Sequence, residues 1–331
     1  MNKYKLPTGY LFVDEYSRGN LETLSIGDYG KARNVKADFL GLTKEINGVE
    51  NGEVQPMSEK WVITLSTQYG CIQKCKFCAC PNIPFNGNAS FDDLKKQLYS
   101  AIDCFPDVRY VERLNVHFAR MGEPIVNDAV FTFARWLYSQ KGHQLLKDTG
   151  VRVETLHPVL TTSLPKAYRG LSKRLFEWCN IKNDFYNGQA GLQISVNSTN
   201  EAQREDMFSG GQLPLEEFAE IAECLPYPIG RKYCLNFAYD TKFEVDAGKL
   251  SKLLSTDKFM VKITPIHMNN ECRKRGYRTE GGYESYAPYR KVEQELKDTG
   301  FDVLVFVPSM DEEDGLITCG NAVLGGSTFK K

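Results

Sequence analysis

From position 61 onward, short apolar stretches alternate with longer segments whose apolar positions recur every three or four residues. The first pattern predicts strands and the second amphipathic helices. Strands are expected over 61–66, 114–119, 157–162, 192–196, 233–239, 260–266 and 303–307, and helices over 91–104, 128–140, 168–179, 215–224, 246–254 and 286–299. Six or seven βα units in series imply parallel strands joined by right-handed crossovers. The expected fold is therefore α/β, a partial (β/α)6-type barrel. Residues 1–57 follow another rhythm, with strands at 10–13 and 21–26 and Asn and Gly punctuation over 47–52. The expected organisation is an N-terminal β-rich appendage over 1–57, the barrel over 58–308 and a C-terminal tail over 309–331.

In such barrels the loops after the strands carry the chemistry. Cys71, Cys75 and Cys78 follow the first strand, Met121-Gly122-Glu123-Pro124 the second, Ser163 the third and Asn197 the fourth. Ser195 lies at the end of the fourth, His267-Met268-Asn269-Asn270 follows the sixth, and Cys319 lies beyond the last. Loops that converge on one mouth point to an active site.

The chain has 331 residues, with 41 Lys and Arg against 42 Asp and Glu. That balance removes the electrostatic footprint of a non-specific nucleic-acid binder, though not a local basic site, and a 42% hydrophobic, 12% aromatic composition with Pro and Gly throughout excludes disordered and coiled-coil classes. Apolar runs fall far short of the roughly 18–20 residues that cross a bilayer, and the N-terminus leads into no signal region. No membrane partner and a cytoplasmic location are expected.

Four of the ten cysteines fall at 71, 75, 78 and 80. Composition alone produces a C-x3-C-x2-C about once in a hundred such chains. Three thiolates from one loop can hold three irons of a 4Fe–4S cluster and leave the fourth iron open to a substrate or cofactor. Gly70 lets the loop turn away from its strand, and Phe77 shields the ligands from water. The alternative is a structural zinc site completed by Cys80 or a His, although the single-residue spacing from Cys78 to Cys80 suits tetrahedral coordination poorly.

Gly70-Cys71-Ile72-Gln73-Lys74-Cys75-Lys76-Phe77-Cys78 resembles the motif of the radical S-adenosylmethionine (SAM) superfamily. Within it, Ser66–Cys71, Met121–Pro124 with Asn127, Thr161–Ser163, Ile194–Asn197 with Asn200, and Cys319-Gly320-Asn321 recur in order in the methyl synthases that methylate adenine carbons in RNA. The resemblance covers roughly residues 60–325. It implies a radical SAM barrel, SAM bound at an open iron, reductive cleavage to a 5′-deoxyadenosyl radical, and an electron donor such as flavodoxin or ferredoxin.

It also implies roles. Glu123 and the carbonyl of Gly122 accept from the SAM ammonium, and Pro124 fixes that loop. Ser163 and Ser195 contact the SAM carboxylate and ribose, Asn197 stands where the family has His, and the 263–269 segment with His267 and Asn269 meets the adenosine edge. Cys319 is the methyl carrier, in an RNA base or nucleotide methylation.

Two features depart from the pattern. The family's second, resolving cysteine is replaced by Thr64, with Cys80 and Cys272 as the substitutes to weigh. The family's helical N-terminal accessory domain has no counterpart here, while Arg273-Lys274-Arg275 and Arg278, interleaved with Tyr277 and Tyr283, form a basic-aromatic patch suited to phosphate or a base. A non-methylating radical SAM enzyme that abstracts hydrogen from a small molecule, peptide or protein, with Cys319 as hydrogen donor or substrate contact, stays open beside the methylating one.

Overall fold

The computed structural model describes residues 2–46, 53–279, 285–318 and 320–329. Cys319, Tyr283 and the Asn and Gly run over 47–52 lie outside the described residues. The strands are β1 Asn2–Leu6, β2 Gly9–Tyr16, β3 Gly19–Ile26, β4 Val35–Lys36, β5 Lys60–Leu65, β6 Tyr110–Phe118, β7 Arg152–Thr162, β8 Gly191–Ser195, β9 Tyr233–Tyr239, β10 Phe259–Pro265 and β11 Asp302–Phe306.

They form one sheet in the order β1-β2-β3-β5-β6-β7-β8-β9-β10-β11-β4. From β5 to β11 each strand pairs in parallel with the next in sequence. Side chains from each of these seven strands line one cavity, so the sheet curves around it. β1–β3 extend this sheet as antiparallel hairpins, with Leu24 opposite Thr64 and Ile26 opposite Val62. β4 lies antiparallel on β11 at the other edge. The 1–57 segment thus supplies both flanks of the sheet.

Helices start where side chains satisfy their first N–H groups. Ser90 and Asp93 form a capping box at Phe91–Asp103, and Asn127 caps Asp128–Tyr138. Leu94, Leu98, Ala101 and Ile102, three or four residues apart, face the sheet from the first of these. From the same helix Gln97 takes the N–H of Ser66 at 2.8 Å and donates to its carbonyl at 3.0 Å, which fixes the end of β5.

The parallel strands have two unlike faces. Trp61, Ile63 and Leu65 on β5, Leu114, Val116 and Phe118 on β6, and Leu235, Val261 and Val303 on later strands join the core beneath the helices. Each such side chain contributes about 1.5–3 kcal/mol on burial. The alternate positions turn inward and are polar: Thr64, His117, Thr161, Gln193, Asn236, Lys262 and Thr264 line a cavity in the lumen. On the same faces, Asn115 and Arg113 stand two and four residues before His117, and His157 four residues before Thr161. The core is therefore the helix–sheet layer, and the lumen sets these polar groups among apolar neighbours such as Val62, Ala238 and Phe306. No helix among the described residues is long and apolar enough to cross a membrane.

Candidate active site at the barrel mouth

The cavity, about 290 Å³, lies at the C-terminal ends of β5 to β10 and reaches Ile317 and Thr318 of the C-terminal segment. Ser195, Asn197, His267 and Asn269 line it, as do Phe77 of the thiol loop, Thr64 and Cys272. Gly122, Glu123, Pro124 and Ser163 do not: they form a hydrogen-bonded layer beside it.

Glu123 is almost fully buried, at 3% exposure. One of its carboxylate oxygens accepts from the Ser163 N–H at 2.8 Å and hydroxyl at 2.7 Å, and the other accepts from the N–H of Ile125 at 3.3 Å. Burial raises its pKa above the usual carboxylate range, against the pull of those donors. Gly122 has φ +98°, and a Cβ there would meet the Gln68 side chain at 2.5 Å, so this turn requires glycine.

Two glutamines couple this layer to the cysteines. Gln68 accepts from the N–H of Glu123 at 2.9 Å and of Ile72 at 3.2 Å. Gln73, between Cys71 and Cys75, donates to the Ser163 hydroxyl at 2.9 Å and to the Gly211 carbonyl at 3.1 Å. Neither was a sequence-derived candidate, although a glutamine that is buried between two predicted ligands marks a held loop.

Asn269 closes the other side. Its amide nitrogen donates to the carbonyls of Phe77 at 2.9 Å and Gly320 at 3.1 Å, while its oxygen caps the helix Asn270–Lys274 at Cys272 N. Gly320 in turn accepts from the Ala79 N–H at 2.8 Å. Both chain neighbours of Cys319 are thereby at the site: Thr318 in the cavity wall and Gly320 on the thiol loop. Asn197 holds φ +62°, a conformation asparagine tolerates, and accepts from the Ala238 N–H at 3.0 Å. His267 meets Glu313 at 3.0 Å through Nδ1.

Cys71, Cys75 and Cys78 are half-buried thiols on one loop, none of them in a disulfide. The N–H of Cys80 donates to Cys78 Sγ at 3.4 Å. Hydrogen bonding from the Cys80 side chain and this N–H pulls the Cys78 pKa down against burial, whereas Cys80 itself is pushed up. The donor set, three soft thiols on one loop with a supporting N–H beside the cavity, fits a 4Fe–4S cluster, which takes one thiolate per iron.

Of the two thiols weighed against Thr64, Cys272 lines the cavity, with Sγ 3.5 Å from the Phe77 carbonyl. Cys80 is buried towards the Arg120 carbonyl. The expected basic-aromatic patch is partly structural. Tyr277 is buried, its ring 5.2 Å from Phe243, and Arg275 donates to the Lys76 carbonyl at 2.9 Å. Tyr277 packs there because the apolar side chains of Ile266, Cys272 and Phe243 surround it, so it offers no stacking face.

The architecture is α/β, built on one mostly parallel sheet. It is shared with a radical SAM methyltransferase from Sphaerobacter thermophilus, at a TM-score of 0.59 and 16% identity over 92% of this chain and 75% of that one. In sequence the chain is similar to the dual-specificity RNA methyltransferases RlmN of Syntrophotalea carbinolica, 27% identical over 70% of this chain, and Desulfosudis oleivorans, 26% identical over 64%. The matches span 59% and 53% of those relatives' own lengths. No protein-family model matches. The resemblance carried by the cysteine motif and the strand-end residues thus stands in both sequence and fold.

Proposed function

We propose that the chain is a radical SAM enzyme that binds a 4Fe–4S cluster at Cys71, Cys75 and Cys78 and SAM in the adjoining cavity. The observation that carries this reading is the thiol loop itself, held by Gln68, Gln73 and Asn269 against a cavity at the C-terminal ends of the parallel strands. When bound, the cluster supplies the electron that cleaves SAM to a 5′-deoxyadenosyl radical. The chain's own residues position and enclose. Ser195 and Asn197 supply polar contacts in the wall, Phe77 covers the thiols from the lumen side, and Glu123 orients the Ser163–Gln73 link behind them.

The reaction we assign is C-methylation of an RNA base or nucleotide with Cys319 as methyl carrier, in a cytoplasmic enzyme served by a flavodoxin- or ferredoxin-type donor. The S. carbinolica and D. oleivorans names support RNA as substrate. One observation favours a second reading. Thr64 faces the cavity, and its hydroxyl cannot form the disulfide that would release Cys319. Hydrogen abstraction from a small molecule or peptide needs no such step.

The test is anaerobic reconstitution with iron and sulfide analysis. About four irons per chain are expected, lost in Cys71→Ala, Cys75→Ala or Cys78→Ala and kept in Cys80→Ala. Dithionite and SAM should then release 5′-deoxyadenosine. Zinc without iron or sulfide overturns the reading, and peptide mass spectrometry for a one-methyl increment on Cys319 separates its two versions.

A further inference from the structure

Below the cavity, the inward strand positions and the segments at their feet carry a concentration of cations. Lys60 on β5 and Arg113 on β6 are register partners, on the faces that place Thr64 and His117 in the lumen. Lys262 stands on the inward face of β10, Arg231 just before β9, and Lys31 at the start of the short helix Lys31–Asn34. These charges feel one another. Burial lowers Lys60 to about 8, aided by Arg113, Lys262 and Arg231. Burial, then Lys262, Lys60, Arg231 and Arg113, hold His117 at about 3, and burial, Arg113, Arg231 and Lys31 do the same for His157.

The acids near them are largely committed. Asp28 pairs with Lys60, Asp302 pairs with Lys232 at 2.7 Å, and Glu312 accepts from the Ser309 N–H at 2.8 Å. Arg113 donates to Asn115 at 2.9 Å, and among the described residues no carboxylate pairs with Arg113, Arg231 or Lys31. Independently, His157, 5% exposed and on the inward face of β7, has an Nδ1 with no hydrogen-bond partner. Like charges on neighbouring strands repel, and a recess of one sign gathers counter-ions. Arg231 and Lys31 are exposed, so this group of charges is open to solvent at the strands' N-terminal end.

We propose that the foot of the lumen binds a phosphate or diphosphate group, clamped by Arg113 and Arg231 with Lys31 and His157 around it. Guanidinium forks match phosphate oxygens two at a time. A bound anion also raises the pKa of His157, so that Nδ1 gains a proton to donate. His117 and Lys262 belong both to the cavity wall and to this charged recess, so the ligand is either free inorganic anion or the phosphate end of a substrate that reacts above. The second source rests on the proposed function.

The experiment is calorimetric titration of the full, iron-loaded chain with inorganic diphosphate, ADP and adenosine. Diphosphate should bind once per chain, and Arg113→Gln or Arg231→Gln should weaken it roughly tenfold or more. Lys291→Gln, on an exposed helix face, should not. Arg231→Lys, which keeps the charge at an exposed position but loses the fork, should bind more tightly than Arg231→Gln and less tightly than wild type, which separates a lost contact from misfolding. ADP tighter than diphosphate, with adenosine silent, assigns the site to a phosphorylated substrate; equal affinities assign it to the free anion. Absence of binding, or equal binding by wild type and both Gln variants, overturns the proposal. Iron content and 5′-deoxyadenosine release on the same wild-type preparation report on the enzymatic reading separately.

Discussion

Arg120 and Glu22 form a buried bidentate ion pair, Nε and Nη2 donating to one carboxylate oxygen at 3.0 and 2.6 Å, with side chains 2% and 0% exposed. The pair joins three distant segments. Arg120 begins the loop that leads to Gly122 and Glu123 and also donates to the Leu316 carbonyl at 2.8 Å, while the second oxygen of Glu22 takes the N–H of Leu324 at 2.7 Å.

Removing one partner strands the other charge. Glu22→Gln should therefore cost about 3–5 kcal/mol of unfolding free energy. The double replacement Glu22→Leu with Arg120→Leu should recover much of it, because no lone charge stays buried. Urea unfolding of the two variants checks this, and a double variant as unstable as the single one contradicts it.

Asn269→Ala removes the ties to Phe77 and Gly320 and the cap at Cys272. A loss of about 1–3 kcal/mol is expected. Amide hydrogen exchange should quicken at Ala79, whose N–H is bonded to Gly320. Unchanged exchange there would show that the tail is held by something else.

At Gly122 an added Cβ meets Gln68 side-chain carbons at 2.5 Å and its backbone nitrogen at 2.7 Å, at φ +98°. Gly122→Ala should destabilise the fold by roughly 1–3 kcal/mol and weaken SAM binding by displacing Gln68 from Glu123 and Ile72. A melting temperature equal to wild type's would refute the steric argument.

Burial lifts the pKa of Glu312 from 4.5 to about 7, against the opposing pull of the Ser309 N–H and of Lys60 and Lys262. Between those values the native state binds more protons than the unfolded chain, so stability falls as pH rises from about 4.5 to 7. The full effect is on the order of 3 kcal/mol. Glu312→Gln should flatten this slope, as read from denaturant unfolding at a series of pH values. A slope unchanged by the substitution would assign it to other groups.

The helix over Leu215–Cys224 and the strand Tyr233–Tyr239 fall where the apolar periodicity puts them, because burial on one face dictates the pattern. β7 begins at Arg152, five residues before the expected start, since Arg152, Glu154 and Thr155 are exposed and Val153 and Leu156, three apart, do not alternate as a strand pattern does. The helix Gln140–Asp148 was hidden in the same way: its buried face is little more than Gly142 and Leu146. For the site, the cysteine loop and Ser195, Asn197, His267 and Asn269 were legible as strand-end polar residues. Glu22, Gln68 and Gln73 were not, because their partners lie tens of residues away in sequence. The polar lumen did leave a trace in the alternation Lys60, Val62, Thr64 against Trp61, Ile63, Leu65. Strands buried in apolar surroundings on both sides would have read as unbroken apolar runs.

That two-faced strand construction bears on how such a protein can diversify. The residues that keep the sheet under its helices and the residues that meet whatever enters the barrel occupy alternate positions of the same strands, so a substitution on one set leaves the packing of the other nearly untouched. Exchanging Gln193, Asn236 or Lys262 alters what the interior recognises while Leu192, Leu235 and Val261 continue to hold the fold. Selection for a new substrate can therefore proceed along inward positions at little risk to stability.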